Sequence, residues 1–146
     1  MGSIHFFVEE IHFKLPNPRK TSRWIKETIA CENRGLGELN VIFCSDEYLH
    51  RINRQYLNHN TLTDIVTFDY SDKGKSIEGD VFISIDRVKE NAIEFESGFA
   101  SELNRVIIHG VLHLIGYSDK STHQRSEMRR KEDTYLSLYE REVGST

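Results

Sequence analysis

Apolar residues recur along the chain in two rhythms. Short runs rich in β-branched and aromatic residues at 4–8, 39–44, 64–70 and 79–85 predict four strands. Elsewhere the apolar positions follow helical spacing. Trp24, Ile25, Thr28 and Ile29 mark a helix over 19–32 that ends in Asn33-Arg-Gly-Leu-Gly37. Tyr48, Leu49, Ile52, Tyr56 and Leu57 form the apolar face of a second helix. Ser45 is its expected N-cap, with Asp46 and Glu47 in the first turn, where carboxylates favour the positive end of the helix dipole. Pro16-Asn-Pro18 and residues 58–61 read as loops. A polar, lysine-bearing turn at 71–76 separates the third and fourth strands closely enough to predict an antiparallel hairpin. Asp86 is the expected cap of a third helix that reaches about Glu96 and is broken by Gly98. A fourth helix runs from about Ala100 to Ile115. It is apolar nearly all round from Val106 onward, which predicts a buried central helix with Ile107, Ile108, Leu112 and Ile115 inside. Ser121 and Gln124, spaced as a capping box, open a charged amphipathic last helix that extends to about Glu142, with Met128 and Tyr135 on one face. This order predicts an α/β or α+β domain, a small mixed four-stranded sheet packed with helices around the buried fourth helix.

Length and composition narrow the class. The 146 residues suggest one domain with a real core, and 38% hydrophobic with 29% charged residues reads as soluble and globular. No apolar run approaches the roughly 20 residues that span a bilayer, so no membrane association is expected. The first ten residues lack a basic segment followed by a long apolar one, so no secretory signal is expected. Cys31 and Cys44 show no motif spacing, and Cys44, in a strand, reads as a buried thiol; a cytoplasmic location suits both. The net charge of −4 disfavours coating of nucleic acid through bulk charge, while leaving room for a local basic cleft.

Chemistry concentrates in residues 105–119. His109 and His113 lie four apart in an apolar helix, about 1.1 turns, so both imidazoles project from one face. That is a geometry in which two histidines share a metal ion. Gly116 reads as the helix stop, and Asp119 is the first strong ligand type beyond the turn. Gly110 occupies the place where zinc proteases of the His-Glu-x-x-His type carry their general base, so peptide hydrolysis lacks that group. Asp64, Asp69 and Asp80 read as caps, turns or strand-face residues, with Asp80, opening a strand near the expected cleft, the next candidate to test.

The stretch His109-Gly-Val-Leu-His113-Leu-Ile-Gly116-Tyr117 resembles the signature His-Gly-x-Leu-His-Leu-x-Gly-Tyr-Asp-His of the YbeY family, the bacterial rRNA-maturation endoribonucleases. Thr63-Asp64-Ile-Val-Thr-Phe68 is similar to that family's Thr-Asp/Asn-Val-Leu-Ser-Phe strand, Gly79-Asp80-Val-Phe-Ile to its Gly-Asp-Ile strand, and Asn53-Arg-Gln-Tyr56 fits the helix before them. The similarity covers about residues 41–133. It implies a mixed four-stranded sheet with helices, one zinc ion per chain and a cleft beside the metal helix. It also implies a single-strand-specific ribonuclease acting on rRNA precursors in small-subunit processing and ribosome quality control. The implied partners are RNA and the ribosome or its small subunit, with no DNA and no membrane.

The chain departs from the family pattern twice. The usual third histidine falls ten residues after the first, where this chain has Asp119. A carboxylate oxygen binds zinc at about the distance of an imidazole nitrogen, so the expected ligand set is His109, His113 and Asp119. His123 is the alternative third ligand. The Ser121 cap would place it in the first turn of the last helix, away from the Met128 and Tyr135 face, so Asp119 is preferred. The family's basic residue after the helix tyrosine, implicated in RNA handling, is here Leu57; Arg51, Arg54 and His59 are nearby. Three protein ligands leave a zinc ion one open position, where a water with its pKa lowered toward about 7 acts as nucleophile or as base for the ribose 2′-hydroxyl. No protein side chain is assigned as a further catalyst. The rival readings are a metal-dependent hydrolase of another substrate, and a non-catalytic ribosome-associated factor with structural zinc. The latter needs a fourth protein ligand that the cysteines are poorly placed to supply.

Overall fold

The two rhythms become nine elements in the computed structural model, which describes residues 2–57, 63–72 and 76–144. In chain order they are β1 (Ser3–Glu9), α1 (Pro18–Cys31), β2 (Leu36–Cys44), α2 (Asp46–Leu57), β3 (Ile65–Asp69), β4 (Ile77–Ser84), α3 (Ile85–Glu94), α4 (Phe99–Ile115) and α5 (Thr122–Gly144). The sheet order is β1-β2-β4-β3. β1 and β4 both run parallel to β2, and β3 pairs antiparallel with β4 as expected, so the sheet is mixed; residues 73–75 of the expected turn lie outside the described residues. Among the described residues no helix is long and apolar enough to cross a membrane.

Strand alternation decides which face receives the central helix. Leu39, Val41 and Phe43 of β2 and Val81 and Ile83 of β4 are fully buried on one face, where α4 packs. Gly110 allows the close approach: a Cβ there would sit 2.6 Å from Ile65 Cδ1 and 2.8 Å from Val81 Cγ1. Position 110 therefore faces the sheet. α1 and α5 cover α4 from the other side, with Met128 and Tyr135 in the core and the Trp24 indole N–H donating to the Tyr135 carbonyl at 2.6 Å. The opposite sheet face carries α2 over a smaller cluster of Cys44, Leu49 and Val66. Cys44 is buried, and that burial pushes its thiol pKa up to about 12. Ile107, Ile108 and Leu112 are fully buried, whereas Ile115 is half-buried, because the helix ends there against the turn.

Caps follow local chemistry with one exchange. The Ser45 hydroxyl accepts from the Tyr48 N–H at 3.1 Å, and Ser121 and Gln124 form the reciprocal capping box, each bond 3.0 Å. The expected cap at Asp86 is corrected: Ser84 caps α3, its hydroxyl accepting from the Arg87 N–H at 3.1 Å. Ser84 still has extended backbone as the last residue of β4, while Asp86 lies inside the first turn. The Asp86 carboxylate instead accepts from the Asp46 N–H at 2.8 Å and so closes the start of α2. Tyr56 is corrected too. It is 62% exposed, its ring leaning edge-on against Phe68, while Leu49 and Asn53 are buried on that side of α2. The expected loop at 58–61, with His59, lies outside the described residues, as does the Leu57 side chain.

Leu112 sits at the centre of the α4 packing, so Leu112→Ala is expected to cost about 2–5 kcal/mol in urea unfolding, and Gly110→Ala about 1–3 kcal/mol from overpacking against Val81 and Ile65. A near-neutral Leu112→Ala would place α4 at the periphery.

Candidate metal centre

Helix α4 ends because Gly116 takes φ +129°, a conformation that favours glycine. The Gly116 N–H donates to the Leu112 and His113 carbonyls and the Tyr117 N–H returns to the Leu112 carbonyl at 3.0 Å. This reversal carries the chain back over the last helical turn. His113 Nδ1 lies 3.0 Å from the Tyr117 carbonyl, and a carbonyl only accepts, so Nδ1 carries the hydrogen and Nε2 is a bare lone pair. His109 Nδ1 lies 2.6 Å from Glu132 Oε2, a carboxylate acceptor that leaves the His109 Nε2 bare in the same way. The two Nε2 atoms are 2.9 Å apart. Asp119 Oδ2 stands 3.3 Å from the first and 3.4 Å from the second.

These three donors fit a metal. A tetrahedral ion held at about 2.0–2.2 Å sets its ligands roughly 3.3–3.6 Å apart, and both nitrogen–oxygen edges fall in that range. Two lone pairs and a carboxylate converging on one point call for a cation or a proton. Burial disfavours the His109 imidazolium, yet the Glu132 hydrogen bond and charge, with Asp119, outweigh it and raise the pKa above the ordinary imidazole value. His109, His113 and Asp119 form the group of possible metal donors among the described residues. His123 is exposed in the first turn of α5 and is not part of it.

Two supports hold the donors in place. Glu132 is 5% exposed, and its other oxygen accepts from Arg105, one turn before His109, at 2.8 Å. Arg105 also reaches Asp133 at 2.8 Å. The carboxylate–histidine pair fixes ring orientation and raises ligand basicity. Beyond the loop, the Tyr117 hydroxyl donates to Glu32 Oε1 at 2.5 Å, while Tyr135 and Lys131 donate to Oε2. Burial alone would raise the Glu32 pKa, but the bonds from Tyr117, Tyr135 and Lys131 outweigh it and hold it below the usual value. Arg34 donates to the Ile115 carbonyl at 2.5 Å, so the loop is tied to the end of α1 twice.

A cleft of about 390 Å³ opens beside His109, with Asp64, Glu102, Asp119, Arg129 and Glu132 in its walls. Burial raises the pKa of Asp64 and of Glu102, each with smaller opposing contributions from neighbouring cations. Asn91 donates to Asp64 at 3.3 Å. The expectation for the aspartates changes accordingly. Asp80, in register with Asn40 and between the core-facing Gly79 and Val81, points to the opposite sheet face, where Asn40 and Tyr70 each donate to it at 3.0 Å. Asp64, at the start of β3, is the aspartate in the cleft. Glu132 was missed in the sequence, although a signal existed: it lies on the same face as Met128 and Tyr135, a charge in an apolar stripe. Arg51 pairs with Glu10 at 2.6 Å, and Arg54 is exposed.

Fold and donors together define a class, an α+β protein whose central helix presents a His-x-x-x-His pair and a following carboxylate to a cleft. The family model described as Endoribonuclease YbeY matches residues 8–140, and the chain belongs to the YbeY family. It is 51% identical to the Endoribonuclease YbeY of Amoebophilus asiaticus, covering 92% of each protein. It is also 51% identical to that of Flavobacterium psychrophilum, covering 91% of this chain and 94% of the relative. The solution structure of TM1509 from Thermotoga maritima matches with a TM-score of 0.64 at 26% identity, over 96% of this chain and 92% of that one.

Two outcomes are expected from the supports. Glu132→Gln should weaken divalent-metal affinity about 10–100-fold, read by competition with a chromogenic chelator. Glu32 has a folded pKa below its unfolded value near 4.5, so its contribution is complete above that pH and is lost as pH falls through the folded pKa. Acid unfolding of Glu32→Gln should therefore show a shallower loss of stability below about pH 4.5 than the parent.

Proposed function

We propose that this chain is a zinc-dependent endoribonuclease that cuts single-stranded RNA, acting as one metallohydrolase domain on rRNA precursors in small-subunit processing and ribosome quality control. The observation that carries the reading is the convergence of His109 Nε2, His113 Nε2 and Asp119 Oδ2 beside an open cleft, in a chain of this family. Two nitrogens and one oxygen, with both nitrogen–oxygen edges at tetrahedral spacing, favour zinc over the harder, oxygen-seeking ions. The partner is RNA, on the ribosome or its small subunit, and the two free cysteines support a cytoplasmic setting.

When bound, zinc supplies a Lewis acid for a phosphoryl oxygen and an acidified water at neutral pH. The protein's own groups do the rest. Glu132 and the Tyr117 carbonyl hold both imidazoles in the Nδ1–H tautomer, so that Nε2 faces the cleft. Arg129, exposed at the rim, meets substrate phosphate, while Arg105 is committed to Glu132 and Asp133. Asp64, its pKa raised by burial, holds or accepts a proton inside the cleft. A protease-type base is sterically barred at Gly110, where the sheet leaves no room for a side chain.

Metal content, binding and cleavage test the reading together. Protein purified without chelator should contain about one zinc per chain and cut single-stranded in preference to double-stranded RNA. Asp119→Ala should sharply weaken zinc binding and abolish cleavage, His123→Ala should leave both near the parent, and Asp119→His should keep the metal. Loss of zinc in His123→Ala with retention in Asp119→Ala would reverse the third-ligand assignment.

A further inference from the structure

The cleft is poorly charged for its substrate. Asp64, Glu102, Asp119 and Glu132 line it against Arg105 and Arg129, and Arg105 is already spent on two carboxylates. The other face of the sheet carries Glu38, Glu78 and Asp80 and is no better suited to a polyanion. A basic stretch without carboxylates lies elsewhere. Residues 11–26 contain five of the 19 lysines and arginines and no aspartate or glutamate, which leaves 14 basic against 23 acidic residues in the rest.

In the structure these cations border a groove. Arg19, Arg23 and Lys26 occupy positions i, i+4 and i+7 of α1, on one face and about 4.5–6 Å apart along the axis. All three are exposed. Among the described residues, Arg19 and Lys26 make no ion pair. With Ser22 they face the edge strand β1 across an open groove of about 460 Å³ whose floor is Ile4 and Phe6. Phe6 is anchored below by stacking on Phe43, ring centroids 6.2 Å apart, and is half-exposed above. A basic rim that tracks a phosphate backbone and an aromatic floor on which a base stacks are the two elements of single-strand recognition. Lys26 lies six residues before Glu32, about 9 Å along the helix, and Glu32 holds Tyr117 of the metal loop.

We propose that the groove between α1 and β1 is a docking site for single-stranded RNA, binding substrate several nucleotides away from the metal centre. Arg19, Arg23 and Lys26 contact phosphates and Phe6 stacks on a base. The site rests on the endoribonuclease reading for its ligand and supplies the polyanion affinity that the acidic cleft and Leu57 do not.

The test compares the zinc-loaded parent with Arg19→Glu/Lys26→Glu and with the neutral Arg19→Gln/Lys26→Gln, all checked for equal zinc content and melting temperature. Binding of a long, non-cleavable 2′-O-methyl single strand is followed by fluorescence anisotropy across a salt series. The charge-reversed variant should bind about tenfold or more weakly, and the slope of log affinity against log salt should fall by about 1.4 for two lost phosphate contacts. The glutamine variant should fall between. On cleavable RNA, KM for a long strand should rise while kcat, and turnover of a short oligonucleotide that spans only the cleft, stay at the parent's values. If the parent cuts RNA but neither variant changes affinity, slope or KM, the groove proposal is overturned while the endoribonuclease reading stands, and the basic groove falls to an acidic protein partner. If the parent neither binds nor cuts single-stranded RNA, both fall.

Discussion

Two imidazole nitrogens 2.9 Å apart, each with a lone pair turned toward the other, repel unless a cation or proton lies between them. That constraint governs much of the structure. Left alone, the His109 and His113 rings could relieve it by rotating, or by carrying the hydrogen on Nε2. Glu132 and the Tyr117 carbonyl remove both escapes by taking up Nδ1–H. The lone pairs therefore stay turned toward one another, and with Asp119 beside them the three donors call for a metal ion or a proton.

Holding Glu132 in place has its own cost. It is 5% exposed, and a carboxylate taken out of water is expensive unless its oxygens are paired. Here one oxygen takes Arg105 and the other His109, two residues a single turn apart on α4. The charge is compensated by the helix it supports, so α4 and α5 are bound in register through the same group that orients the metal donor. A half-buried carboxylate, Glu32, works similarly on the other side of the loop, where two tyrosines and a lysine converge on it. The Gly116–Asp119 reversal is thus held from α1 and α5 at once, and Asp119 is delivered to the donors by a loop with few other conformations open to it.

Electrostatics divide the surface by task. Carboxylates crowd the cleft beside the candidate metal donors, while Arg19, Arg23 and Lys26 border the groove along α1. Arg19 and Lys20 lie in the first turn of α1, with no acidic residue there, against the preference of the helix dipole for negative charge at that end. A local rule is broken at the place where the groove requires positive charge.

Much of this was legible in one dimension. Period and caps locate every element to within a few residues, because amphipathic burial and turn chemistry are local. The His109/His113 spacing and the Gly116 stop were legible for the same reason, and so was the capping box at Ser121 and Gln124. What the chain did not disclose depends on which surfaces meet. Asp64 and Asp80 look alike as residues flanking strands, and only the side of the sheet that α4 chose separates a cleft residue from one on the far face. The Ser84 cap and the partnership of Asp86 with Asp46 follow from two helices starting at the same end of the sheet, 40 residues apart in sequence. Glu132 and His109 are 23 residues apart on different helices. Local sequence determined the donors and the turn that gathers them. Tertiary packing alone decided the imidazole tautomers, the raised pKa of His109 and the cleft the donors face, because those depend on groups that folding brings together from distant parts of the chain.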